Sequence, residues 1–135
     1  MSEAEEPKLK PGQTFTLVRT CDPYRPVYYA AASGDFNPIH IDPKVGEAAG
    51  LGGVILQGLC TMAWAAEACV QHLGDPTRLK RLKVRFSRPV RPGDTITVEG
   101  KVTAVEGQKV TVELLARNQD GQDVLKGGRA EGRVG

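Results

Sequence analysis

Residues 58–73, GLCTMAWAAEACVQHL, make a helix that is apolar on nearly every side, and it constrains the fold more than any other stretch. Leu59, Met62, Ala63, Ala66, Cys69, Val70 and Leu73 recur at helical spacing, while Trp64, Ala65 and Ala68 fill the other faces. Only Thr61, Glu67, Gln71 and His72 interrupt the pattern. A helix of this kind must be covered on most sides, and Gly74-Asp75-Pro76 supplies its stop signal. The cover available is β-structure. Residues 14–18 alternate like a strand after the Pro11-Gly12 turn, and residues 82–86, 95–105, 110–115 and 124–125 follow the helix as four more. Gly107-Gln108 and Asp120-Gly121 read as the turns between the last three. The expected class is α+β, one antiparallel sheet wrapped around one long helix, with a second subunit covering the side the sheet cannot reach.

A chain of 135 residues holds one such core. Residues 1–12 read as a flexible arm and residues 13–135 as the domain. Eighteen basic against 16 acidic residues leave a net charge of +2, too balanced for a nucleic-acid or membrane-surface protein held by bulk charge. The acidic start lacks the apolar stretch of a leader peptide, and no apolar run approaches the roughly 18 residues of a membrane span. Three cysteines, Cys21, Cys60 and Cys69, are an odd number without Cys-x-x-Cys spacing, and this fits a reducing, cytoplasmic setting. Cys60 and Cys69 lie in the apolar helix and read as small core hydrophobes. With only His40 and His72 as imidazoles, far apart and without clustered thiols, no metal site is expected.

Between the first strand and the helix lies a long irregular segment, preceded by a short helix over residues 26–32. Within it runs Ser33-Gly34-Asp35-Phe36-Asn37-Pro38-Ile39-His40-Ile41-Asp42-Pro43. Pro38 keeps Asn37 out of the α region, so Asp35 and His40 cannot share one helix face. A compact turn could still bring carboxylate and imidazole to one point, where they could hold a water and move a proton near neutral pH. Asp, Asn, Pro and Gly are equally the residues of ordinary Asx-turns and caps. Asp42-Pro43 reads as the cap of a short helix over 44–49. His72, at the end of the long helix, reads as a structural residue, a partly charged imidazole meeting the helix dipole.

A second feature is the glycine-rich entry to the helix, Gly52-Gly53-Val54-Ile55-Leu56-Gln57-Gly58. A first-turn N–H with the dipole behind it suits an oxyanion, and Gly58 would let a substrate approach without a Cβ in the way. The other reading is that Gly58 simply permits close packing.

The stretch 28–62 closely resembles the MaoC-like dehydratases, or (R)-specific enoyl-CoA hydratases, of hot-dog fold. Their signature is matched at residues 33–43 and again at Ile55 to Leu59, and Val84-Arg85-Phe86, Arg88-Pro89-Val90 and Pro92-Gly93-Asp94 look like the family's strand after the central helix. The resemblance implies that Asp35 and His40 activate the water that adds across a trans-2-enoyl thioester. It implies that Gly58 supplies the oxyanion N–H and that Asn37 shapes the loop and supports the pair. It further implies a dimer, with two sheets joined and the central helices buried, a coenzyme A or acyl-carrier-protein thioester as substrate, and no cofactor or metal. Two positions depart from the family. Gln57 stands where a histidine is common, keeping hydrogen bonds but losing titration, so it is expected to support or bind the substrate. Ala65-Ala66 stands where some members carry a serine.

Reversible hydration of an enoyl thioester is therefore the leading expectation. A hot-dog thioesterase is a second, and would use Glu67, the one carboxylate on the helix, which otherwise reads as an interface position. A non-catalytic acyl-thioester-binding subunit is a third, disfavoured by the presence of both Asp35 and His40. Pocket depth is expected to depend on Met62, Trp64 and the loop over residues 51–55. Lys80, Arg81, Lys83, Arg85, Arg88 and Arg91 could meet substrate phosphate or form a solvated face.

Overall fold

Strands form where side chains alternate between water and the long helix. The computed structural model describes residues 9–134. In it β1 (Thr14–Thr20), β2 (Leu79–Phe86), β3 (Thr95–Glu106), β4 (Lys109–Arg117) and β5 (Asp123–Arg133) make one antiparallel sheet in the order β1-β3-β4-β5-β2. Before the long helix α3 (Gly58–Leu73) come two short ones, α1 (Arg25–Ser33) and α2 (Pro43–Ala48). The α+β expectation holds, and four strands do follow the helix. The inward residues of the sheet, among them Leu17, Ile96, Val98, Val112, Leu114 and Leu125, form one core with Cys60, Trp64, Ala65, Ala68, Cys69 and Leu73 of α3.

The ends of the helices follow local chemistry. Gly74 adopts φ 91°, which glycine takes at no steric cost, and its N–H donates to Val70 O at 2.8 Å, closing α3. Asp42 caps α2 by accepting from Lys44 N at 2.9 Å. β2 begins at Leu79, three residues ahead of the alternation read over 82–86, because register shifts at Leu79/Arg81 and Lys83/Arg85 break its period. Of the arm expected over residues 1–12, residues 1–8 lie outside the described residues. Leu9 packs against the core, and Gly12 N–H donates to Val102 O at 2.8 Å.

The sheet covers one side of α3 only. Leu59 is 62% exposed, and Met62, Ala63, Ala66 and Val70 on the same stripe are not buried. Among the described residues no helix is long and apolar enough to cross a membrane. The three cysteines are free and buried, and burial pushes the thiols of Cys21 and Cys69 up to about 12.

His72 has the structural place expected of it but not the partial charge. Its ring stacks on Phe15 of β1, with centroids 4.4 Å apart and planes at 15°. Burial lowers its pKa from the ordinary 6.5, so the neutral ring is favoured and the expected charge at the helix end is not. Desolvation here outweighs the dipole. Below pH 6.5 the unfolded chain takes up a proton that the folded ring resists, so this group weakens folding as pH falls through that window. The urea midpoint should drop between pH 7 and pH 5, and His72→Phe should show a smaller drop. An equal drop in both proteins would contradict this account.

Candidate active site

The segment after α1 is held by its own short side chains. Ser33 Oγ donates to Tyr29 O at 2.7 Å and accepts from Asp35 N at 3.1 Å. Asp35 Oδ1 accepts from Asn37 N at 3.2 Å. Asn37 sits at φ −53°, ψ 127°, the extended form that Pro38 demands. Its Oδ1 accepts from Ile39 N at 3.3 Å, capping a single 3₁₀ turn, Pro38–His40, that swings the imidazole inward. The Asn37 side chain thus serves the turn that carries His40.

His40 is 7% exposed. Its Nδ1 lies 2.7 Å from Ile55 O. A carbonyl oxygen only accepts, so Nδ1 carries the proton and donates. In the neutral ring Nε2 is then an acceptor, and it faces Asp35 Oδ2 at 3.7 Å. That distance is too long for a direct hydrogen bond and short enough for one donor to reach both atoms. The Asp35 side chain is about half exposed, so the gap opens toward solvent.

A cavity of about 310 Å³ lies beside this pair, lined by His40, Gly58, Thr61, Phe86, Ser87 and Arg88 among others. The loop before α3 is tied to its surroundings by Ile55 N–H to Ile39 O at 3.1 Å and Leu56 N–H to Val90 O at 2.8 Å. Gly58 opens α3, where first-turn N–H groups have no acceptor within the helix. A Cβ at Gly58 would lie 3.1 Å from the Phe86 ring, so close approach of that ring is one reason for glycine here. Gln57 is 1% exposed and its Nε2 donates to Pro26 O at 2.9 Å and lies 3.5 Å from Asp35 O.

His40 and Gly58 therefore meet at one cavity, with Asp35 against His40; Asn37 is exposed and serves only the turn that carries His40, and Gln57 is buried next to Gly58 in the chain. Thr61, Phe86, Ser87 and Val124 also line it, and sequence reasoning did not single them out. Phe86 and Val124 arrive from β2 and β5, and only sheet register brings them there. Ile55 and Arg88 do line the cavity, whereas Trp64 belongs to the core and neither it nor Met62 is a lining residue. Glu67 is paired with Arg19 of β1 and lies off the cavity. A larger groove of about 820 Å³, lined by Thr16, Lys101, Glu113 and Arg129 among others, contains no imidazole or thiol. Among the described residues no cluster of three or more His, Cys, Asp or Glu side chains could hold a metal.

The family profile described as "MaoC like domain" matches residues 3–121. The chain belongs to the MaoC-like domain family. "Probable enoyl-CoA hydratase 2" of Dictyostelium discoideum is 41% identical over 109 residues, which is 77% of this chain and 35% of that protein. The chain thus spans about a third of the length of that curated relative. Among solved structures, the (R)-hydratase from A. caviae involved in PHA biosynthesis superposes with a TM-score of 0.86 at 25% identity, covering 96% of this chain and 100% of that one. The R-hydratase PhaJ1 from Pseudomonas aeruginosa, in its unliganded form, gives a TM-score of 0.84 at 27% identity, covering 94% and 84%. The MaoC-like domain here has the hot-dog fold expected from the signature.

Proposed function

We propose that this MaoC-like domain catalyses reversible hydration of trans-2-enoyl thioesters and dehydration of (R)-3-hydroxyacyl thioesters. One observation carries the reading: a buried imidazole whose Nδ1–H is committed to Ile55 O turns Nε2 toward a carboxylate oxygen 3.7 Å away. Two acceptors so placed call for a molecule that donates twice, and water does. The enoyl- and (R)-hydratase relatives support the substrate class.

In the hydration direction, water donates one hydrogen to His40 Nε2 and the other to Asp35 Oδ2. Its oxygen forms a bond to C3 of the enoyl group as the C2=C3 π pair moves toward the thioester carbonyl. One O–H bond breaks and the pair takes that proton. Negative charge grows on the thioester oxygen, where Gly58 N–H at the start of α3 receives it. The carbonyl re-forms, and the proton held by the pair passes to C2 on the same face. Dehydration runs these steps backward. The thioester carrier, coenzyme A or an acyl carrier protein, belongs to the substrate.

The uncovered stripe Leu59, Met62, Ala63, Ala66 and Val70 supports a second subunit of the same chain as its cover. Light scattering at micromolar concentration should give twice the 14.5 kDa chain mass or a multiple of it. A stable monomer would contradict the proposed dimer.

Crotonyl-CoA tests the chemistry. Loss of enoyl absorbance is expected, while release of free thiol would indicate a thioesterase and binding without turnover a passive subunit. Asp35→Asn and His40→Ala should each lower the rate by orders of magnitude, and the double variant should be little worse than the poorer single one, because both hold one water. Near-parent turnover in either folded single variant would remove the pair from the mechanism.

Gly58→Val should reduce turnover by about 10²–10³, the usual effect of losing one oxyanion donor. Because the added carbons also press on Phe86, the same change is to be made with Phe86→Leu. Recovery of rate in that double variant would assign Gly58 to packing; a persistent loss in a folded dimer supports the oxyanion role.

A further inference from the structure

Gln57 is among the largest fully buried side chains of the described residues; its backbone carbonyl accepts from Cys60 N–H at 3.0 Å in the first turn of α3, while its side-chain amide serves other elements. It stands at the N-cap position of α3 with φ −57°, ψ 131°, and makes no side-chain cap. Instead its amide turns away from α3. The two atoms near Nε2 are Pro26 O at 2.9 Å, in the first turn of α1, and Asp35 O at 3.5 Å. Both are carbonyl oxygens and only accept, so the NH₂ end must face them, which fixes the orientation of the amide.

The connectivity makes this placement matter. The C=O of Gln57 and the N–H of Gly58 belong to one peptide group, so the residue reaching Asp35 also carries the plane of the N–H offered to the thioester oxygen. On the other side, Asp35 O and the carboxylate that faces His40 belong to one residue. A single buried side chain therefore links the backbone of the proposed water-holding residue to the proposed oxyanion donor, across 22 positions of sequence.

We infer that Gln57 is a positioning residue that sets the spacing between the water held by Asp35 and His40 and the oxyanion site at Gly58. This rests on the hydratase reading. Addition to an enoyl thioester needs C3 at the water and the carbonyl oxygen at the N–H in the same instant, and a misplacement of about 1 Å can cost 10²-fold in rate. An amide suits the task because it brings two donors to two carbonyls. A neutral imidazole brings one N–H, with its other nitrogen an acceptor, so at this position it could hold one carbonyl and not both.

The test compares Gln57→Leu, of similar volume and without a donor, with Gln57→His, which keeps one. Steady-state kinetics with crotonyl-CoA should show kcat of Gln57→Leu reduced about 10- to 100-fold with KM little changed, and Gln57→His recovering part of that loss. Because Gln57 acts through Asp35, adding Gln57→Leu to Asp35→Asn should lower kcat only slightly further. Hydrogen exchange on the full chain supplies a readout independent of turnover: backbone amides over 35–40 should exchange faster in Gln57→Leu, with those of β3 and β4 unchanged. A folded Gln57→Leu with kcat within twofold of the parent and unchanged exchange over 35–40 would overturn the proposal. So would a loss of equal size in the Asp35→Asn background. If Gln57→Leu does not fold, Gln57→His decides. Its single donor should leave a smaller kcat loss with faster loop exchange, and parent behaviour in both would overturn the proposal. A parent protein that fails to hydrate crotonyl-CoA while the exchange result holds would refute the hydratase reading and leave the tether standing.

Discussion

An apolar helix with only one sheet to cover it governs the rest of this structure. The concave side of the sheet takes the Cys60, Trp64, Ala68 and Cys69 face of α3, with all four 7% exposed or less. Their burial is worth on the order of 25 cal/mol for each Å² of apolar surface removed from water, the largest favourable term a small domain has. The helix is long enough to span the sheet, so its N-terminus emerges near the ends of β2 and β5. That is where Phe86 and Val124 meet Gly58 and the cavity opens. Placing α3 in the sheet thus also places a helix N-terminus at the edge of the core, where a chain segment can fold over it.

The segment that does so, from Ser33 to Pro43, is held by hydrogen bonds between near neighbours and contributes His40 as its buried anchor. It needs little of the hydrophobic core. Exposed apolar side chains nearby, Phe36 at 60% and Ile41 at 41%, show how little of this loop the single chain buries. The chemistry is therefore proposed to sit on a loop whose position depends on a few polar contacts, His40 with Ile55 O and Gln57 with Asp35 O, while the core strands fix the floor beneath it.

What could be read from sequence follows from range. The ends of α3 were legible because Gly74 is a local stop signal and the helical period needs only near neighbours. The extended form of Asn37 was legible because Pro38 imposes it. The start of β2 was not, since two register shifts hide its alternation. Nor were Thr61, Phe86 and Val124 as neighbours of the site. Phe86 and Val124 look like ordinary strand residues, and the pairing of Phe86 with Leu125 that brings them together is a property of sheet register. The partial charge read for His72 is not favoured, because a helix-end dipole is local while the burial that overrides it involves Phe15, 57 residues away by position number.

The contact between His40 Nδ1 and Ile55 O also has a consequence for reversibility in the proposed reaction. A histidine free to exchange tautomers could take a proton at one nitrogen and offer another from the opposite side of the ring, away from substrate. Here Nδ1–H faces a carbonyl that cannot return a proton, so Nε2 is the one ring atom that gains and loses it. The carboxylate oxygen 3.7 Å away faces the same ring atom, so the proton is exchanged on that side. Hydration needs the pair to accept a proton beside C3, and dehydration needs it to give one back to the departing hydroxyl. A fixed tautomer lets both directions use one atom and one face of the substrate, which is what syn addition of a single stereochemistry requires.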